Sequence, residues 1–137
     1  MNGFIDSEET IERFLVETKS LIESDSFDIN RNFIMKEVRN SDNPLHPKNQ
    51  DTMLALSYDV SDVLEEIKTL TVEHYYQTLP DHMPGKSPFY LFFKVIQGHQ
   101  VYIKYKIKHI RDKFIFCLSF HFPEHEINLT DLPYGNK

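Results

Sequence analysis

The chain has a single cysteine, Cys117, which excludes an internal disulfide and suits the reducing cytosol. Cys117 lies in the apolar run "FIFCLSF" and reads as a small packing residue. No apolar stretch is long enough to cross a bilayer, and the opening "MNGFIDSEET" has neither a basic start nor a hydrophobic segment. These absences predict a cytoplasmic protein with no signal peptide and no membrane contact. Glycine-rich phosphate loops, C-x-x-C pairs and G-x-S-x-G elbows are missing too, so nucleotide hydrolysis, ribbon zinc and serine esterase chemistry lack support. The segment "HFPEH" spaces His121 and His125 as in helical zinc motifs, but Pro123 between them forbids the helix that would align both rings. No metal and no cofactor is expected.

What is present describes a globular fold: 137 residues, 40% apolar, eleven Phe and seven Tyr, enough for one domain with a real core. The net charge of −6 is unevenly spread. Residues 94–113 hold six basic side chains against one acid, and the remainder holds nine basic against twenty acidic. Such asymmetry can attract a polyanion locally while the rest of the surface repels it.

The first part of the chain has helical periodicity. Ile11, Phe14, Leu15, Thr18, Leu21 and Ile22 fall on one face of a helix over residues 7–24, with Asp6 or Ser7 as cap. A strand is expected at 33–38, and "NSDNPLHPKNQ" reads as a loop. "DTMLALS" predicts a short helix and "SDVLEEIKTL" a longer one capped by Asp59 or Ser61, with a further helical turn or two in "TVEHYYQTL". Pro80, Pro84, Gly85 and Pro88 then break the chain.

Beyond them the period changes to two. "FYLFFKVI", "QVYIKYKIK" and "KFIFCLSFHF" predict an antiparallel meander, with a tight turn at Gly98 and His99. In the last strand, Phe114, Phe116, Leu118, Phe120 and Phe122 are expected on one face, and Ile115, Cys117, Ser119 and His121 on the other. The tail after Pro123 reads as loose. The fold class expected is α+β: N-terminal helices packed on a C-terminal antiparallel sheet of three or more strands.

The polar face of that meander collects Tyr102, Lys104, Lys106, Lys108, Ser119 and His121. Metal-free cleavage of RNA needs a base for the 2′-hydroxyl, cations for the charged phosphorane and an acid for the departing 5′-oxygen. His121, with an ordinary pKa of about 6.5, suits proton transfer; Tyr102, at about 10, would need neighbouring lysines to favour its anion. Lys104 and Lys106 would hold phosphate. A half-exposed sheet also alternates apolar and charged residues for purely structural reasons, and strand lysines discourage edge pairing. Parity leaves Lys94 open: a two-residue turn puts it on the apolar side with Ile103, and a bulge swings it beside Tyr102.

Two stretches in residues 50–122 carry a family likeness. "DVLEEIKTLTVEHYYQTLPDH" is similar to a helix running into a D-F-Y-K-S-like motif, and "GHQVYIKYKI…FCLSF" resembles a G-x-V-Y-[LI]-K strand followed by a closing V-S-F-K strand. Together they resemble the MqsR family of bacterial mRNA interferase toxins, which have a RelE-like fold. The resemblance implies a type II toxin: a ribosome-independent, metal-free endoribonuclease acting on mRNA and restrained by a cognate antitoxin. The family's strand tyrosine matches Tyr102; its motif lysine falls on Gln77, its closing-strand lysine on His121, and its glutamine has Phe93 and Lys94 as nearest positions. The expected site is therefore Tyr102 and His121 for proton transfer and Lys94, Lys104, Lys106 and Lys108 for phosphate, with Gln77, Ser119 and Arg111 as further candidates. The expected layout is one domain over 1–137, with an N-terminal extension at 1–45, a toxin-like core at 50–122 and a tail at 123–137. The alternative is a non-catalytic module that binds RNA or protein through the lysine face.

Overall fold

The structure, a computed structural model, describes residues 3–36 and 49–135. Its elements run α1 (Glu8–Ile22), α2 (Ile29–Asn32), β1 (Phe33–Met35), α3 (Asn49–Leu56), α4 (Val60–Lys68), a 3-10 turn at Val72–His74, β2 (Tyr75–Leu79), β3 (Phe89–Ile96), β4 (His99–Ile110), β5 (Asp112–His121) and a 3-10 turn at Leu129–Asp131. One five-stranded sheet has the order β1-β5-β4-β3-β2; β1 joins β5 in parallel and the other pairs are antiparallel. This is the expected α+β class, with the meander extended by one strand on each side.

Helix α1 begins at Ser7, whose hydroxyl accepts from the Thr10 amide, and Glu8 and Glu9 lie at the positive end of its dipole. Asp59 caps α4 in a reciprocal box with Asp62. The buried faces of both helices, Ile11 and Phe14 in one and Val63, Leu64 and Ile67 in the other, share a core with Phe92, Ile103, Tyr105, Ile115 and Phe120 of the sheet. Thr18 seals the polar end of that contact, its hydroxyl 2.9 Å from the Tyr105 hydroxyl and bonded to the Phe14 carbonyl. Both helices thus occupy one face of the sheet, called here the inner face.

Several expectations need correction. "YYQTL" is strand β2, not helix: its aromatic and Thr residues pair with β3, and a bulge between Tyr75 and Gln77 admits Tyr76 as an extra residue. The β3–β4 turn is Gln97–Gly98, because Ile96 pairs with His99; both turn residues have positive φ, +52° and +82°, the geometry that suits a two-residue hairpin. The tail is not loose over its described part. The Gln100 side chain makes two hydrogen bonds to the Ile127 backbone, Leu132 is buried, and the Tyr134 hydroxyl donates to the Asp6 carbonyl. Strand β1 is shorter than expected, and residues 37 and 38 of the expected strand, like most of the expected loop, lie outside the described residues.

The largest correction concerns β5. Lys104 pairs with Ser119 and Tyr105 with Cys117, so Leu118 is an extra residue that reverses the alternation. Before it, Ile115 and Cys117 point into the core and Phe114 and Phe116 to the outer face; after it, Phe120 points in and Ser119 and His121 point out. Asn49, 1% exposed at the start of α3, holds this irregular edge. Its amide nitrogen donates to the carbonyls of Lys36 and Leu118, and its oxygen accepts from the Phe120 amide. The Thr52 hydroxyl accepts from the Phe122 amide. Two side chains of α3 thereby continue the ladder where β1 stops. Asn49→Ala leaves the half-buried Leu118 carbonyl and the buried Phe120 amide without this partner and is expected to cost about 2 to 4 kcal/mol; urea unfolding should show a lowered midpoint at unchanged slope.

Candidate active site

The outer face is read from the strand register. Tyr102 lies directly opposite His121, and Lys104 directly opposite Ser119, across β4 and β5. On the other side of β4, Phe93 pairs with Tyr102 and Leu91 with Lys104; beyond Leu91 lies Gln77 of β2. Tyr102, Lys104, Ser119, His121 and Gln77 therefore share one face, with Phe93 and Leu91 as its apolar floor. The rings of Tyr102 and His121 are 5.5 Å apart, and that of Phe93 is 5.3 Å from Tyr102.

His121 Nδ1 is 3.0 Å from the Phe122 carbonyl. A carbonyl only accepts, so in the neutral ring Nδ1 carries the hydrogen and Nε2 the basic lone pair. Tyr102 behaves otherwise than expected. Burial, with a smaller contribution from the phenol of Tyr76, pushes its pKa up to about 12. The lysines do not draw out its anion; near neutrality it is a firmly protonated phenol, able to donate a hydrogen bond or a proton but not to act as a base. Burial also lowers the pKa of Lys104 below its ordinary value. Its ammonium lies 5.1 Å from the centre of the Phe89 ring, partly stripped of water, and an anion at this position would favour its charged form.

The other cations are dispersed. Lys94 is on the inner face, as the two-residue turn requires, and its ammonium binds the Glu66 carboxylate at 2.7 Å and the Thr69 hydroxyl at 2.7 Å. It cannot hold a phosphate bound on the outer face. Lys106 does point outward but is buried, its ammonium held by Asp81 at 2.7 Å and by the Ser87 carbonyl at 2.9 Å, above the Phe89 ring. Its charge is spent on the connector 80–88. Lys108 is on the outer face, six residues from Tyr102 and thus about 20 Å away. Arg111 sits in the β4–β5 turn, about 30 Å away, and does not join the cluster. Gln77 is packed beneath the backbone of Gly3, where an added Cβ would come within 2.8 Å of its side chain.

Three participants were not foreseen as site residues. Tyr76, which the β2 bulge sets edge-on against Phe93 at 5.1 Å, adds an aromatic wall beside Tyr102. Its segment reads as helix in sequence, which hides its alignment with the sheet. Asp81 and Glu66 neutralise two of the lysines across separations of 25 and 28 residues, and no local spacing signals such pairs. Cys117 is wholly buried and its thiol is pushed up to about 12 by desolvation, in keeping with a packing residue. Among the described residues, no group of three or more His, Cys, Asp or Glu could hold a metal ion, and no helix is long and apolar enough to cross a membrane.

The sheet thus carries helices on one face and groups a phenol, an imidazole and an ammonium on the other. Residues 29–122 match the family described as motility quorum-sensing regulator, toxin of MqsA. The match covers more than half of the chain, from α2 to the residue after β5, and the chain belongs to this family of toxins. Membership implies a partner of the antitoxin kind, since the family is described by the protein it is the toxin of. No curated protein and no solved structure matches the chain.

The Asp81–Lys106 contact has a definite pH dependence. The hydrogen bond from Lys106 is the main cause that holds the Asp81 carboxyl at about 2 instead of its ordinary 3.8. The contact's stabilisation is complete above the ordinary value and lost as pH falls through the lowered one. Asp81→Asn should therefore melt below the wild type at neutral pH, and the gap in Tm should close between about pH 4 and pH 2. A gap independent of pH would show that the carboxylate charge is not what holds the connector.

Proposed function

We propose that the protein is an endoribonuclease toxin that cuts mRNA without a metal ion and is held in check by a cognate antitoxin in the cytoplasm. The observation that carries this reading is the direct pairing of Tyr102 with His121, with Lys104 one step along the same face. In the reaction, His121 Nε2 takes the proton from a 2′-hydroxyl, whose oxygen attacks the adjacent phosphorus. Lys104 stabilises the charge that grows on the phosphorane oxygens. Tyr102, a neutral phenol, donates to the departing 5′-oxygen, so the products are a 2′,3′-cyclic phosphate and a 5′-hydroxyl. Tyr102 thus acts in the protonated form that its burial favours.

A second reading is a catalytically silent module that uses the same face to bind RNA or protein. It draws on two positions where the family motif has lysine and this chain has Gln77 and His121. The two are separated by incubating purified protein with a long mRNA in EDTA. Discrete cuts are expected, with rates reduced by roughly 10² or more in Tyr102→Phe and in His121→Ala. Intact RNA that still binds the wild type would favour the silent module and overturn the nuclease.

A further inference from the structure

The lysine row on β4 is divided. Residues 80–88 fold back so that Asp81 and Ser87 both bind the Lys106 ammonium, at 2.7 Å and 2.9 Å. The middle lysine is neutralised there, Lys104 remains on the Tyr102 side, and Lys108 lies on the far side. On that far side Gly85, Lys86, Ser87, Lys106 and Lys108 border a cavity of about 230 Å³. Lys108 lies 4.8 Å from the centre of the Phe116 ring, and among the described residues neither it nor Lys86 has a carboxylate partner. Three acids of the surrounding elements are engaged elsewhere: Asp81 with Lys106, Asp112 with Arg31, and Glu17 with Lys113 and with His109, which also lines the cavity. The concavity is thus bordered by two lysines without a carboxylate partner, whose charge a bound anion would offset.

We infer that Lys86 and Lys108 form a second phosphate-binding site for the RNA strand, about 20 Å from Tyr102 along β4. It holds the chain several nucleotides from the bond that is cut. This rests on the ribonuclease reading, because the position of Lys108 on the same strand and face as Tyr102 and Lys104 is what favours RNA over an acidic protein as occupant. The Phe116 ring holds the Lys108 ammonium over its face, on the outer side of the sheet. The site sets a minimum substrate length and contributes to binding, not to the chemical step.

The test uses full-length protein and non-cleavable 2′-O-methyl RNA of about four and about twelve nucleotides, spanning the range of single-strand site sizes. Lys86→Gln/Lys108→Gln is compared with the wild type and with Lys19→Gln, a charge control on α1. For the longer RNA, the double variant should bind roughly tenfold more weakly, and the slope of log affinity against log salt should flatten by about 0.7 for each phosphate no longer neutralised. Binding of the short RNA should not change, and cleavage of long mRNA below saturation should slow in proportion to the lost affinity. If wild type binds and cuts RNA while the double variant matches it at both lengths, the second site is refuted and the nuclease stands. Equal weakening at both lengths, or by Lys19→Gln as much, would reduce the effect to net charge and also refute it. Loss of antitoxin binding with RNA affinity intact would assign the surface to a protein and refute the RNA site. Wild type that binds no RNA overturns this inference and the nuclease together.

Discussion

The candidate site depends on one extra residue in β5. Leu118 has no counterpart across the ladder, and its presence is what allows Ile115, Cys117 and Phe120 to enter the core while Ser119 and His121 turn outward. A regular strand must choose between the two groups, because successive side chains alternate faces. A strand that buries Cys117 without a bulge would bury His121 as well, away from Tyr102. The bulge needs partners for its displaced backbone groups, and Asn49 supplies them from a neighbouring helix. The core and the outer face are thereby linked through a single side chain of α3.

Electrostatics select among the lysines. Four of them alternate along β3 and β4 in a segment rich in positive charge, yet two are consumed by the scaffold. Lys94 secures α4 to the inner face through Glu66, and Lys106 secures the connector through Asp81. Both pairs are largely removed from water, where a lone ammonium would be costly and a paired one specifies a unique arrangement. Lys104 and Lys108 remain on the outer face with aromatic neighbours instead of acids. The positive surface left on this acidic protein is therefore narrower than its count of lysines suggests, and more sharply located.

The family match runs from α2 to the residue after β5 and does not extend over α1 and the tail. These two segments meet. Asp6, just before α1, binds the Thr78 hydroxyl through its carboxylate, and its carbonyl accepts from Tyr134 in the tail. Phe4 pairs with Thr78 and covers the edge of β2. An open edge invites unwanted pairing, and here the two ends of the chain close it. The same segment brings Gly3 onto Gln77, so the N-terminal segment borders the outer face directly.

Patterns with a short period were legible in the sequence: the α1 and α4 faces and their caps, the meander, and the grouping of Tyr102, Lys104, Ser119 and His121. Each follows from repeats of 3.6 or two residues, which the local chain imposes by itself. The β2 strand was hidden because five residues containing Tyr and Thr take their conformation from the neighbour they pair with. The Leu118 bulge, the burial of Lys106, the inner placement of Lys94, the raised pKa of Tyr102 and the packed tail also required the assembled molecule. Each depends on groups far apart in the chain, such as Asn49 with Phe120 or Asp81 with Lys106. Alternation alone determined which side chains could share a face. Which face was buried, and which charges were already neutralised, was decided only when distant segments came together, because desolvation and ion pairing depend on distance in space and not along the chain.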